Sequence, residues 1–126
     1  MDQSSQSRAN STSALGTQGE AQAVQFLKEH GYTIMTTNYR VGKMGEIDII
    51  AKDGDTIVFV EVKLRRTTKY GTPEEAVTYS KQRTIRRMAE GYLMFNRIEN
   101  VPCRFDVVAI EARHDIYVIR HHKNCF

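Results

Sequence analysis

The chain has 126 residues, 40% of them hydrophobic and 26% charged, and a net charge of +3. That length fits one domain, able to bury roughly two-thirds of the surface its unfolded form exposes. Apolar runs such as Ile57-Val58-Phe59-Val60 fall far short of the roughly 18 residues of a membrane span, and no glycine or heptad period supports a fibrous fold.

Residues 1–13 are polar and serine-rich and read as a disordered tail, without the apolar stretch of a signal peptide. A single domain is expected over 14–126. Thr17-Gln18-Gly19-Glu20 has the form of a capping box, Ala21, Val24, Leu27 and Lys28 follow at helical spacing, and His30-Gly31 is a stop signal. A helix is therefore predicted from Ala14 or Gln18 to His30. Strands follow over Tyr32–Arg40, Glu46–Lys52 and Thr56–Arg66, separated by the turn Gly42–Gly45 and the hairpin signal Asp53-Gly54-Asp55. They should pair as an antiparallel meander. Thr72-Pro73-Glu74-Glu75 is a second capping box, opening a helix that runs to about Asn96, with a break allowed near Tyr79-Ser80. Ile85, Met88, Ala89 and Tyr92 fall on its apolar face. Strands Arg104–Glu111 and Ile116–His121 close the domain. The order α-β-β-β-α-β-β predicts an α/β fold, a central mixed sheet flanked by helices, with a parallel pair across the helical crossover.

Charge is uneven along the chain. Residues 1–62 carry 5 basic and 8 acidic side chains, residues 63–104 carry 10 and 4, and residues 105–126 carry 3 of each. The basic middle includes Arg65, Arg66, Lys81, Arg83, Arg86 and Arg87, residues suited to holding a polyanion such as nucleic acid and equally to a wet helix face. Cys103 and Cys125 make no metal spacing, and the expectation is a reduced, cytoplasmic protein with Cys103 as a small apolar filler. His30, His114, His121 and His122 have no zinc spacing, and no role is assigned to them.

The third strand carries the chemistry. In Val58-Phe59-Val60-Glu61-Val62-Lys63-Leu64 the alternation puts Glu61 and Lys63 on the face of Ile57 and Phe59. Charges late in so apolar a strand need a partner, water or an ion. On the second strand Glu46, Asp48 and Ile50 are expected to point one way, and Ile47 and Ile49 the other. If Asp48 and Glu61 project to the same side, two carboxylates converge beside Lys63, and a hard cation such as Mg²⁺ would relieve their repulsion. Glu20, or Glu46, would add a further oxygen. Each residue also has a plainer reading: Glu20 completing the Thr17 box, Asp48 facing solvent, Glu61 and Lys63 forming an ion pair, and Asp106 anchoring Arg104 or a turn.

Asp48 followed by Glu61-Val62-Lys63 resembles the PD-(D/E)xK, or restriction-endonuclease-like, nuclease superfamily, with Ile47 in place of the motif's proline. Gly19-Glu20, Gly45-Glu46-Ile47-Asp48-Ile49-Ile50-Ala51, Phe59-Val60-Glu61-Val62-Lys63-Leu64-Arg65, Lys81 and Arg104-Phe105-Asp106-Val107-Val108, in that order, are similar to the YraN-like family, related to archaeal Holliday junction resolvases. The resemblance spans residues 14–126. It implies a restriction-endonuclease-like fold with Glu20, Asp48, Glu61 and Lys63 as the catalytic set, the three carboxylates holding Mg²⁺ or Mn²⁺ and the lysine serving the water. The implied activity is a metal-dependent endodeoxyribonuclease acting on structured or branched DNA. A four-way junction has approximate two-fold symmetry, which would suit a homodimer. The alternative is a nucleic-acid-binding protein that keeps the fold and cuts nothing.

Overall fold

A computed structural model describes residues 12–65, 77–113 and 116–126. The elements are α1 (Thr12–Glu29), β1 (Thr33–Arg40), β2 (Glu46–Asp53), β3 (Thr56–Arg65), α2 (Tyr79–Phe95), β4 (Cys103–Arg113) and β5 (Ile116–His122). The expected order of elements is the one observed. Arg66 and the Thr72-Pro73-Glu74-Glu75 box lie outside the described residues, as do residues 1–11.

The five strands form one sheet in the order β1-β2-β3-β4-β5. β1, β2 and β3 are antiparallel neighbours, β3 and β4 run parallel, and β4 and β5 are antiparallel. The parallel pair follows from α2, which returns the chain to the starting end of the sheet. This is a restriction-endonuclease-like α/β fold.

Each face of the sheet has its own core. Ala23 and Leu27 of α1 pack with Ile49, Ala51, Val58, Val60, Val108 and Ile110. Ile85, Met88, Ala89 and Tyr92 of α2, the predicted apolar face, pack on the other side with Ile47, Ile50, Ile57, Phe59 and Val107. β3 is apolar on both sides because helices cover both. Its alternation is as read from the sequence.

α1 ends in a Schellman arrangement: Tyr32 N–H donates to Leu27 O and Gly31 N–H to Lys28 O, with Gly31 at φ 88°. Its start differs from expectation. The helix begins at Thr12, so Thr17 lies inside it rather than at its start. α2 begins at Tyr79, where Thr78 accepts from Lys81 N–H as the cap. Cys103 is exposed at the start of β4, not an apolar filler, and neither cysteine is in a disulfide. Among the described residues no helix is long and apolar enough to cross a membrane.

The alternation expected on β2 is overturned. Ile47 joins Ile50 in the α2-side core, whereas Ile49 lies on the α1 side. The parity breaks between Ile47 and Ile49, at Asp48, directly across from Asn38. The β1–β2 register runs Thr37↔Ile49 and then Tyr39↔Ile47, and Asn38 between them has φ 53°. A left-handed residue inside a strand turns the pleat, and asparagine tolerates it better than most. Gly45, just before Glu46, has φ 152°, and a Cβ there would come within 3.3 Å of Thr84 on α2. Glycine lets the helix close over the start of β2.

Candidate active site

The β2–β3 ladder ends at Ile49↔Val60. One residue further, Asp48 stands opposite Glu61, but the strands part and the Asp48 carboxylate takes over from the missing backbone partner. Its Oδ2 accepts from Val62 N–H at 2.8 Å. This fork is the centre of the site, and carboxylates reach it from four places.

Glu20 approaches from α1 and Glu46 from the start of β2. One carboxylate oxygen from each of Glu20, Glu46 and Asp48 lies within 4.8 Å of the others. Asn38 gathers two of them, its Nδ2 donating to Glu20 Oε1 at 3.0 Å and to Glu46 Oε2 at 2.9 Å. Arg40 pairs with the other oxygen of Glu46. Glu61 is only 5% exposed. Its Oε2 lies 3.5 Å from Lys81 Nζ and 3.7 Å from Lys63 Nζ. Its Oε1 is buried and has no hydrogen-bond partner among the described residues.

So many acids with so few donors have an electrostatic consequence. Burial, then the charge of Glu61, push the Asp48 carboxyl from its ordinary 3.8 to about 8. The Val62 N–H pulls it partly back, while Glu46 and Glu20 add to the rise. A divalent cation would fit this chemistry. The donors are hard oxygens, Asp48 resists ionisation beside its acidic neighbours, and Glu61 Oε1 is a buried acceptor with nothing donated to it among the described residues.

The structure thus draws the predicted Glu20, Asp48, Glu61 and Lys63 to one end of the sheet. Glu46 stands with Glu20 and Asp48 in the close trio, and Glu61 faces Asp48 across the fork. Of the predicted basic contacts, Arg83 and Arg87 are exposed on α2. The guanidinium of Arg83 stacks over Tyr79 at 5.9 Å, and that of Arg86 lies 4.9 Å above the Phe105 ring and 6.0 Å from that of Phe126. Arg65 is half-buried at the end of β3. Lys81 does not share the outer face of the arginines but turns towards Glu61. Asn38 carried no assignment from the sequence, although an asparagine between Thr37 and Tyr39 is an unusual strand residue and was the available signal.

The sequence profile of the uncharacterised protein family UPF0102 matches residues 19–110. The chain belongs to the UPF0102 (YraN-like) family. A UPF0102 protein of Caldicellulosiruptor saccharolyticus is 48% identical over 114 residues, covering 89% of this chain and 96% of the relative. One from Acetivibrio thermocellus is 54% identical over 101 residues, covering 80% and 78%. One from Geotalea uraniireducens is 50% identical over 123 residues, covering 97% and 95%. The UPF0102 match begins at Gly19, beside Glu20, and includes Asn38, Glu46, Asp48, Glu61, Lys63 and Lys81.

Proposed function

We propose that this UPF0102 protein is a divalent-cation-dependent endodeoxyribonuclease that hydrolyses phosphodiester bonds in structured or branched DNA. The observation that carries the reading is the fork. A buried Glu61 with an undonated oxygen faces an Asp48 that resists ionisation, and Lys63 stands two residues on. A purely structural pair has no use for a second and third carboxylate on the same spot.

Asp48 and Glu61, with Glu20 or Glu46, would hold Mg²⁺ or Mn²⁺. A cation bound there supplies Lewis acidity to a phosphoryl oxygen and makes water a better nucleophile at neutral pH. Lys63, 29% exposed along its side chain, is free enough to hold the attacking water by its oxygen and to face the charge that develops on the phosphoryl group. Asn38 keeps Glu20 and Glu46 turned inward without adding charge. Arg83 and Arg87 position the phosphate backbone and read no bases. The choice of branched DNA, a homodimer to match it and a cytoplasmic location belong to the same proposal and rest on the resemblance of the motifs.

Purified protein incubated with linear, flapped and four-way DNA, with Mg²⁺ or Mn²⁺ and with chelator, tests the reading. Cleavage of the branched forms, abolished by chelator and absent from Asp48→Ala and Lys63→Ala preparations, is the expected result. Equal cutting by wild type and Asp48→Ala would remove the site from consideration. Binding without cutting by both would make the protein a DNA-binding module.

A further inference from the structure

Lys81 is out of place by the rules of helix electrostatics. It sits in the first turn of α2, three residues after the Thr78 cap, and that turn holds no acidic residue. A cation there opposes the positive end of the helix dipole. What accounts for it is Glu61. Two ammonium groups, one from β3 and one from α2, flank the same carboxylate oxygen at 3.7 and 3.5 Å. Both distances exceed those of tight charge-assisted hydrogen bonds. The second oxygen of that carboxylate, buried, is left without a partner. Glu61 is therefore balanced in charge but not filled as an acceptor. The lysines themselves are 29% and 38% exposed along their side chains, so each can swing into solvent without unpacking the core.

We propose that Lys81 is an exchangeable counter-ion of Glu61. It neutralises the buried carboxylate until a divalent cation takes that place, and it then turns its charge to the phosphate backbone at the same mouth. The inference rests on the reading of the fork as a cation site and adds a residue from a different element to it. It also separates Lys81 from Arg83 and Arg87, which never touch a carboxylate of the site. Lys81 and the incoming cation compete for Glu61, so removing Lys81 strengthens cation binding while weakening turnover. A residue that merely anchored DNA would leave cation affinity alone.

Mn²⁺ titration by calorimetry on the DNA-free protein provides the test, with wild type, Lys81→Met, Glu61→Gln and the double variant. Lys52→Met, an exposed charge removed at the far end of β2, is the control for bulk charge. Lys81→Met is expected to bind Mn²⁺ about tenfold more tightly than wild type, as loss of a unit charge at 3.5 Å from the ligand predicts, and Lys52→Met within about twofold. In the Glu61→Gln background the Lys81→Met gain should vanish, because the cycle isolates the pair. Cleavage at saturating Mn²⁺ should fall at least tenfold in Lys81→Met. Equal Mn²⁺ gains in Lys81→Met and Lys52→Met, or a gain that persists with Glu61→Gln, would overturn the counter-ion role. Absence of Mn²⁺ binding to both wild type and Lys81→Met would instead overturn the cation site itself, and the counter-ion role with it. Thermal melting of each variant shows whether it is folded; if Lys81→Met proves unstable, the equally uncharged Lys81→Gln takes its place in the cycle with the same expected and overturning outcomes, and Lys81→Arg, which keeps the charge, should retain the wild-type Mn²⁺ affinity.

Discussion

The strands on either side of β3 bury carboxylates in opposite ways. On β4, Asp106, level with Val60 of β3, is completely buried and surrounded by donors. Arg104 Nε and Nη2 reach it at 2.9 Å, His121 Nε2 lies 2.7 Å away and Asn124 N–H donates at 2.9 Å. Arg104 is itself braced by Asp53 and the Tyr32 hydroxyl. Burial pushes the Asp106 carboxyl up, but these hydrogen bonds win and hold it below its ordinary value. At the fork, Asp48 has one backbone donor and three acidic neighbours, and its carboxyl rises to about 8. The same residue type in the same sheet is thus fully satisfied on β4 and left short of donors on β2. The satisfied carboxylate is a structural lock, and the other carries an electrostatic penalty that the fold leaves in place.

Amide substitution sharpens that contrast most. Asp106→Asn leaves the half-buried Arg104 with only the more exposed Asp53 as ion partner and should destabilise the protein by about 3 kcal/mol, read as a large drop in melting temperature. Asp48→Asn keeps an acceptor for Val62 N–H and removes repulsion. Its melting temperature should hold or rise at pH 8, while cleavage falls by about 10²-fold or more. If both variants lost stability equally, the two carboxylates would not differ in kind.

Next in size is the pH response of the metal-free protein. Asp48 binds its proton more tightly folded than unfolded. Between the ordinary carboxylate value and about 8 the folded state holds the extra proton, so stability falls as pH rises, by no more than about 1.4 kcal/mol per unit. Asp106 acts with the opposite sign: its contribution is present above the ordinary carboxylate range and is lost as the pH drops through and below it. Chemical denaturation between pH 5 and 9 checks this, and Asp48→Asn should flatten the decline between pH 5 and about 8.

The smallest effects belong to the outer face of α2. Arg87→Ala should weaken DNA binding by less than about tenfold and lower the salt slope by about one, leaving melting unchanged. Arg86→Ala should instead cost about 0.5–1 kcal/mol of stability, because its guanidinium rests on Phe105.

Much of this was readable in the sequence where local rules and tertiary structure agree. β3 declared both faces because helices cover both, and Ile85, Met88, Ala89 and Tyr92 declared the buried side of α2. The Arg104-Asp106 pairing was also legible, since the two residues share a strand face. His121 as the third member was not, because it comes from β5 and depends on its register with β4. Thr17 and Glu20 matched a cap pattern that the helix overran, and Glu20 accepts from Asn38 instead. The inversion of β2 at Asp48 could not be read from β2 at all. It depends on a backbone angle in the neighbouring strand, which hydrophobic alternation does not record.

That angle at Asn38 matters beyond the acids it collects. β1 is the outermost ribbon beside β2, and its outer hydrogen-bonding groups are those most open to a stray extended chain. A register shift between Ile34 and Thr36 and the left-handed residue at 38 interrupt that rim twice within eight residues. A passing polypeptide therefore finds no long straight margin to zip onto, and the kink that gathers Glu20 and Glu46 also guards the protein against fibrous self-association.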